Sequence, residues 1–182
     1  MIPLDVIKIS YHPSNKSYAV ILKEVGGERY LPIVIGAFEA QSIALAIEVI
    51  DPPRPLTHDL LCDIISGIKA KLKEVRINHL QEGIFYSQIE ISSENFESLL
   101  IDSRPSDAIA MALRLNAPIM VTPDIFDEAS ILEEYLVEDN HQKEDKINIS
   151  LDTLRAKLRN AIAKEEYETA AKLRDTISRL EP

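Results

Sequence analysis

Two short blocks gather the side chains that could do chemistry. DSRPSDAIA, residues 102–110, sets Asp102, Arg104, Ser106 and Asp107 just ahead of an apolar run, and RPLTHDLL, residues 54–61, sets Arg54, His58 and Asp59 in a similar position. A third acid, Glu39, stands near the start of the apolar stretch AFEAQSIALAI. The exposed amides of a first helical turn attract anions, so Arg54 and Arg104, with the hydroxyl of Ser106, could hold a phosphate. A histidine such as His58 can exchange a proton near neutral pH. The same residues also read as scaffold. Pro105 suits a first turn, Ser103 and Thr57 can cap free amides, and Asp107 and Asp59 suit the positive end of a helix. The arginines can equally pair with Asp102, Asp107 or Glu39 in a structural ion network. Site and scaffold are both open on these residues alone.

The elements that must position these blocks follow from periodicity. LDVIKISY, YAVILKEV and YLPIVI read as strands, divided by HPSNKS and GGE turns. After Gly36, apolar residues Ala40, Ile43, Ala44, Ile47 and Ile50 recur at helical spacing, and Pro52, Pro53 and Pro55 end the run. A second helix is expected from Thr57 to Leu72, then strands in EVRINHL, IFYSQIEIS and FESLLID. DAIAMALRL is a third helix, PIMVT a short strand, and Asp124 to Leu136 a helical end. A displacement of 66 positions lays IGAFEAQSIALAI over IDSRPSDAIAMAL, matching Ile35 with Ile101, Ile43 with Ile109, Ala44 with Ala110 and Ala46 with Ala112. The expected fold is therefore α+β: an internally duplicated strand-strand-strand-helix unit forming a mixed or antiparallel sheet across residues 1–137. VEDNHQKEDKINIS, covering the linker at 138–149, is polar and aperiodic. Residues 150–182 carry two amphipathic stripes separated by KEE, an α-helical hairpin too small to be stable without a partner.

Composition narrows the class. With 182 residues, 46% apolar and 27% charged, the chain has the profile of an ordinary globular protein. A net charge of −10 disfavours tight, stable binding of a phosphate backbone, although it leaves room for a transient encounter at a few local arginines. The single cysteine, Cys62, has no intrachain partner and reads as a small buried hydrophobe. MIPLDVIKISYH lacks the layout of a secretion signal, and no apolar run approaches the ~20 residues of a membrane span. A cytoplasmic protein without a membrane segment is expected. Phosphate-cradling GxxxxGK[ST], HExxH, CxxC and GxSxG motifs are all missing from the sequence.

Two resemblances add to this reading. EEYETAAKLRDTISRLE, within residues 148–181, resembles the UVR motif of the UvrB and UvrC proteins, which implies a hairpin that pairs with a protein partner. The three blocks LPIVIGAFEAQSIA, RPLTHDLL and IDSRPSDAIAMAL resemble the bifunctional nuclease domain family, with Ala37-Phe38 a small departure before Glu39. That resemblance implies hydrolysis of phosphodiester bonds in DNA and RNA. Such cleavage needs an activated nucleophile and positive charge on the non-bridging oxygens, which carboxylate-held Mg²⁺ or Mn²⁺ can supply. Glu39, Asp59, Asp102 and Asp107 are then the candidate ligands, His58 the base, and Glu39, His58, Asp59 and Asp107 the catalytic set. Carboxylates close to helix N-termini are awkward cation ligands, because that end of the dipole is positive. Self-association is also expected of a duplicated domain carrying such a hairpin. The rival reading is a non-catalytic adaptor or small-ligand-binding domain whose polar blocks are structural.

Overall fold

Alternating side chains and short turn sequences produce long strands in both halves of the domain. The computed structural model describes residues 1–12 and 17–133. The first half contains β1 (Ile2–His12), β2 (Ser17–Glu24) and β3 (Arg29–Ile35), followed by α1 (Ala37–Ile47) and α2 (Thr57–Gly67). The second contains β4 (Ala70–Gln81), β5 (Ile84–Ser93) and β6 (Phe96–Ser103), followed by α3 (Pro105–Leu115). Short elements β7 (Ile119–Val121), α4 (Pro123–Ala129) and β8 (Ile131–Leu132) complete it.

All eight strands form one sheet in the order β6-β5-β4-β7-β1-β2-β3-β8. Each half contributes an antiparallel three-strand meander with a helix after its third strand, as the displaced sequence match leads one to expect. The three-residue β7 joins the halves, antiparallel to β1 and parallel to β4, which makes the sheet mixed. The β4–β5 hairpin closes through Glu82 (φ 52°) and Gly83 (φ 77°). Two successive positive φ values give the tight turn whose twist matches the flanking strands, and glycine accepts the second without strain.

The core lies between this sheet and α1–α3. Val20, Leu22 and Leu31 from one half meet Val75 and Ile77 from the other, with Ile43, Ile109 and Phe126 contributed by helices; all are fully buried. Each such side chain contributes on the order of 1.5–3 kcal/mol through removal from water. Helix α3 is the central one: residues 108–112 are all buried, and the small side chains of Ala108, Ala110 and Ala112 among them let α1 and α2 approach it closely. Its last residue, Leu115, is followed by Asn116 in the left-handed conformation, a common helix stop.

Two boundaries differ from expectation. Helix α2 ends at Gly67, not Leu72: Lys69 turns the chain at φ 57°, and Leu72 is a buried residue of β4. The apolar spacing runs through this junction because strand and helix bury the same side of the chain. The segment from Asp124 is a short helix α4 and a two-residue strand rather than one helix, since β8 pairs with the free edge of β3. The linker at 138–149 and the hairpin at 150–182 lie outside the described residues. No helix among the described residues is long and apolar enough to cross a membrane.

Candidate functional site

Helix starts bring the polar blocks together. Strand β6 delivers Arg104 directly before α3, where Pro105 and Asp107 both stand in the first turn. The N-cap position belongs to Arg104, whose side chain makes no capping bond; Ser103, expected to cap, instead exchanges hydrogen bonds with Ser87 of β5. Similarly, Leu56 rather than Thr57 precedes α2, and its amide donates to Asp59 Oδ2 at 2.7 Å. Ser106 and Asp107 therefore sit at one end of the central helix, opposite the start of α2.

His58 is the focus of the arrangement. Its Nε2 lies 3.1 Å from Asp107 Oδ1 and its Nδ1 lies 2.8 Å from Ser42 Oγ on α1. Arg104 clamps Asp107 with two bonds, Nε to Oδ2 at 2.7 Å and Nη2 to Oδ1 at 3.0 Å, while its Nη1 donates to Glu39 Oε1 at 2.9 Å. Burial pushes the Asp107 carboxyl up, but the Arg104 bonds and the His58 ring outweigh it and hold Asp107 below the usual carboxylate range. The two acids in turn push the Arg104 guanidinium up. Gly36 leaves space for the Glu39 carboxylate to fold back over the first turn of α1, where a Cβ would collide with it.

A second arginine braces the first cluster. Arg114, in the last turn of α3, donates from Nε to Asp59 Oδ1 at 2.6 Å and from Nη1 to the carbonyls of Ser42 (3.2 Å) and Ala110 (2.9 Å). It thus ties α1, α2 and α3 together and fixes the distance between Ser42 and His58. Its bond, followed by the Leu56 amide, holds the Asp59 carboxyl below the usual range against the opposing effect of burial.

Glu39, Ser42, His58, Arg104 and Asp107 line one cleft of about 930 Å³, with Asp102 on its β6 side. Its walls are largely apolar, formed by Leu56, Leu61, Ile64, Ile89, Ile101 and Met111, and the exposed ring of Phe38 stands at the edge. Such a hollow, apolar with a few convergent polar groups, is the usual form of a ligand site.

The expected residues are thus distributed unevenly. Glu39, His58, Arg104 and Asp107 converge. Asp59 is adjacent in sequence but turns toward Arg114, on the wall of a separate cleft of about 390 Å³. Ser106 is buried and lines a smaller cleft of about 340 Å³ on the other side of Arg104. Arg54 is exposed in the α1–α2 connection and lines none of these clefts, so it does not share a phosphate with Arg104 in this arrangement. The four carboxylates expected to hold Mg²⁺ or Mn²⁺ are divided: Glu39 and Asp107 share Arg104, Asp59 takes Arg114, and Asp102 is exposed on β6. Among the described residues no three His, Cys, Asp or Glu side chains converge as a metal ion requires. A guanidinium stands where a shared cation would, so the donor set does not fit a carboxylate-held metal. Cys62 is buried, and that burial pushes its thiol up, away from a reactive thiolate.

Ser42 and Arg114 are site positions that the blocks did not single out. Ser42 follows Glu39 by three residues and shares its helix face, and Arg114 follows Asp107 by two helical turns. Those spacings were legible in the sequence, whereas the meeting of the two helices was not.

Comparison with known proteins places these features in context. The Bifunctional nuclease domain family matches residues 20–134, and the UvrB/uvrC motif matches residues 148–181. An uncharacterized protein of Mycobacterium tuberculosis is 43% identical over 127 residues, covering 70% of this chain and 75% of the relative. Bifunctional nuclease 2 of Oryza sativa subsp. japonica is 30% identical over 106 residues, covering 57% of this chain but 33% of the relative. Bifunctional nuclease 1 of Arabidopsis thaliana is 24% identical over 178 residues, covering 87% of this chain and 55% of the relative.

Proposed function

Since this chain belongs to the bifunctional nuclease domain family, we propose that its main cleft hydrolyses phosphodiester bonds of DNA or RNA. The observation that carries this reading is His58, held between Ser42 and Asp107 on the cleft wall beside the guanidinium of Arg104. Arg104 is 66% exposed at its side chain, so it can meet a phosphate without first being uncovered. Three of its five N–H donors are taken by Asp107 and Glu39, and the remaining two are left for a phosphate oxygen. Asp107 fixes the ring of His58 and stabilises the imidazolium that forms when the base takes a proton. No step in this reading passes through a metal ion. Residues 150–182, outside the described domain, would dock a protein partner, consistent with their match to the UvrB/uvrC motif; self-association and a cytoplasmic setting belong to the same proposal.

The test uses the full chain with single-stranded DNA and RNA oligonucleotides, in Mg²⁺, in Mn²⁺ and in chelator. Cleavage by the wild type is expected to fall about 10²- to 10⁴-fold in His58→Ala, the range typical for loss of a general base. Cleavage retained at wild-type rate by His58→Ala would remove this cleft from the reaction. Loss of cleavage in chelator would show that a cation enters by a route other than the four carboxylates. The largely apolar walls give the small-ligand reading a specific basis, and it gains if no oligonucleotide is cut while an apolar compound raises the melting temperature.

A further inference from the structure

The hydrogen bonds of His58 decide which proton it can remove. Asp107 accepts two N–H bonds from the fork of Arg104, a geometry that an ionised carboxylate satisfies and that leaves it no proton to donate. The bond between Asp107 Oδ1 and His58 Nε2 must then run from Nε2–H to oxygen. In the neutral ring the hydrogen on Nε2 leaves Nδ1 as the bare nitrogen, and among the described residues the group bonded to Nδ1 is Ser42 Oγ at 2.8 Å. The serine hydroxyl is therefore the donor, and its proton is the one the base is placed to accept. Order along the chain of contacts is carboxylate, imidazole, hydroxyl, the arrangement that activates a serine, with the two ring nitrogens in exchanged roles. Ser42 is only 6% exposed, but it lines the cleft, and Arg114 anchors its carbonyl so that the hydroxyl keeps its place.

We propose that Ser42 is the nucleophile of this site and that cleavage proceeds through a covalent phosphoserine diester. The proposal rests on the nuclease reading for its substrate, though not for the reactivity of the serine. In the first step Ser42 Oγ bonds to phosphorus, the bond from phosphorus to the leaving nucleoside oxygen breaks, and the hydroxyl proton passes through His58 Nδ1 to that oxygen. In the second step a water molecule attacks phosphorus and gives its proton to His58; the Oγ–phosphorus bond breaks, and Ser42 recovers the proton. Arg104, beside the same carboxylate, faces the charge on the non-bridging oxygens.

Two measurements on the full chain decide this. Wild-type protein is acid-quenched during turnover of an end-labelled oligonucleotide, digested, and searched by mass spectrometry for a nucleotide on the Ser42 peptide. Separately, a fluorophosphonate probe, which loses fluoride to an activated serine, is applied to wild type, Ser42→Ala, Ser42→Cys and His58→Ala. The expected results are an adduct at Ser42 that is absent from Ser42→Ala and His58→Ala, and a fall in cleavage of about 100-fold or more in Ser42→Ala. A water nucleophile predicts the reverse, because removing the hydroxyl frees Nδ1 for water; Ser42→Ala cleaving within about threefold of wild type would overturn the proposal. If the wild type cuts no oligonucleotide, the nuclease reading fails, and the probe still decides Ser42: labelling lost in His58→Ala supports it, and no labelling overturns it. If Ser42→Ala does not fold, the wild-type adduct and the Ser42→Cys variant decide the matter in the same way.

Discussion

The two halves of the domain share a frame and differ in what they attach to it. Each runs through three antiparallel strands into a helix, and Ile43 and Ile109, at matched positions, are both fully buried. Polar positions do not repeat. In the same register Glu39 of α1 matches Pro105 of α3, and Ser42 matches Ala108. The elements after the two helices differ as well: α2, which carries His58, comes after α1, whereas β7, which joins the half-sheets, comes after α3. The repeated strand-strand-strand-helix arrangement thus supplies the scaffold, while the site lies where the two units differ. Helix α3 is the central core helix, with five consecutive buried residues, whereas α1 carries Glu39 and the buried Ser42 on the side that lines the main cleft.

If the frame is shared, truncating matched core positions should hurt both halves alike. Ile43→Ala and Ile109→Ala are each expected to lower unfolding free energy by about 2–5 kcal/mol in denaturant titration. A large cost at one and none at the other would break the structural equivalence. The polar brace should behave differently, being present once. Asp59→Asn removes the partner of Arg114 and is expected to cost about 1–3 kcal/mol at neutral pH. The Asp59 carboxyl is held below its ordinary value in the fold, chiefly by Arg114. Its contribution is therefore complete above the unfolded carboxyl pKa of about 3.9 and is lost as pH falls toward the folded value. The gap between wild type and Asp59→Asn should accordingly close in melting experiments carried below about pH 4; a gap independent of pH would assign the loss to packing instead. The smallest effect is expected at Phe38, 86% exposed. Phe38→Ala should change stability by less than about 0.5 kcal/mol, so any larger loss of cleavage would mark the ring as a substrate contact.

Much of the frame was legible before any coordinates. Strand alternation, the helical spacing after Gly36 and the match between Ile35 and Ile101 pointed to repeated strand-strand-strand-helix units. The end of α2 was not legible, because Leu72 continues an apolar spacing that a strand satisfies as well as a helix. Nor was β7 placed, since a three-residue strand shows the same local pattern at a sheet edge and at its centre. In the site, Glu39, His58, Arg104 and Asp107 were named from their positions beside helix starts and do converge. Arg54, Ser106 and Asp59 were named on the same grounds and do not join them, because nearness to a helix start says nothing about the direction in which that helix is laid.

From the sequence alone came the element types, the repeat and the kinds of side chain available at each helix start. These are properties of short stretches, set by which side of the chain must leave water and which groups satisfy a first helical turn. Tertiary structure alone decided that His58 meets Asp107 across 49 residues and that Arg114 reaches the carbonyl of Ser42 across 72. It also gave Glu39 and Asp107 a shared guanidinium, that of Arg104. Local pattern records that a face is buried, but only the packed helices determine which charges then come within hydrogen-bond distance.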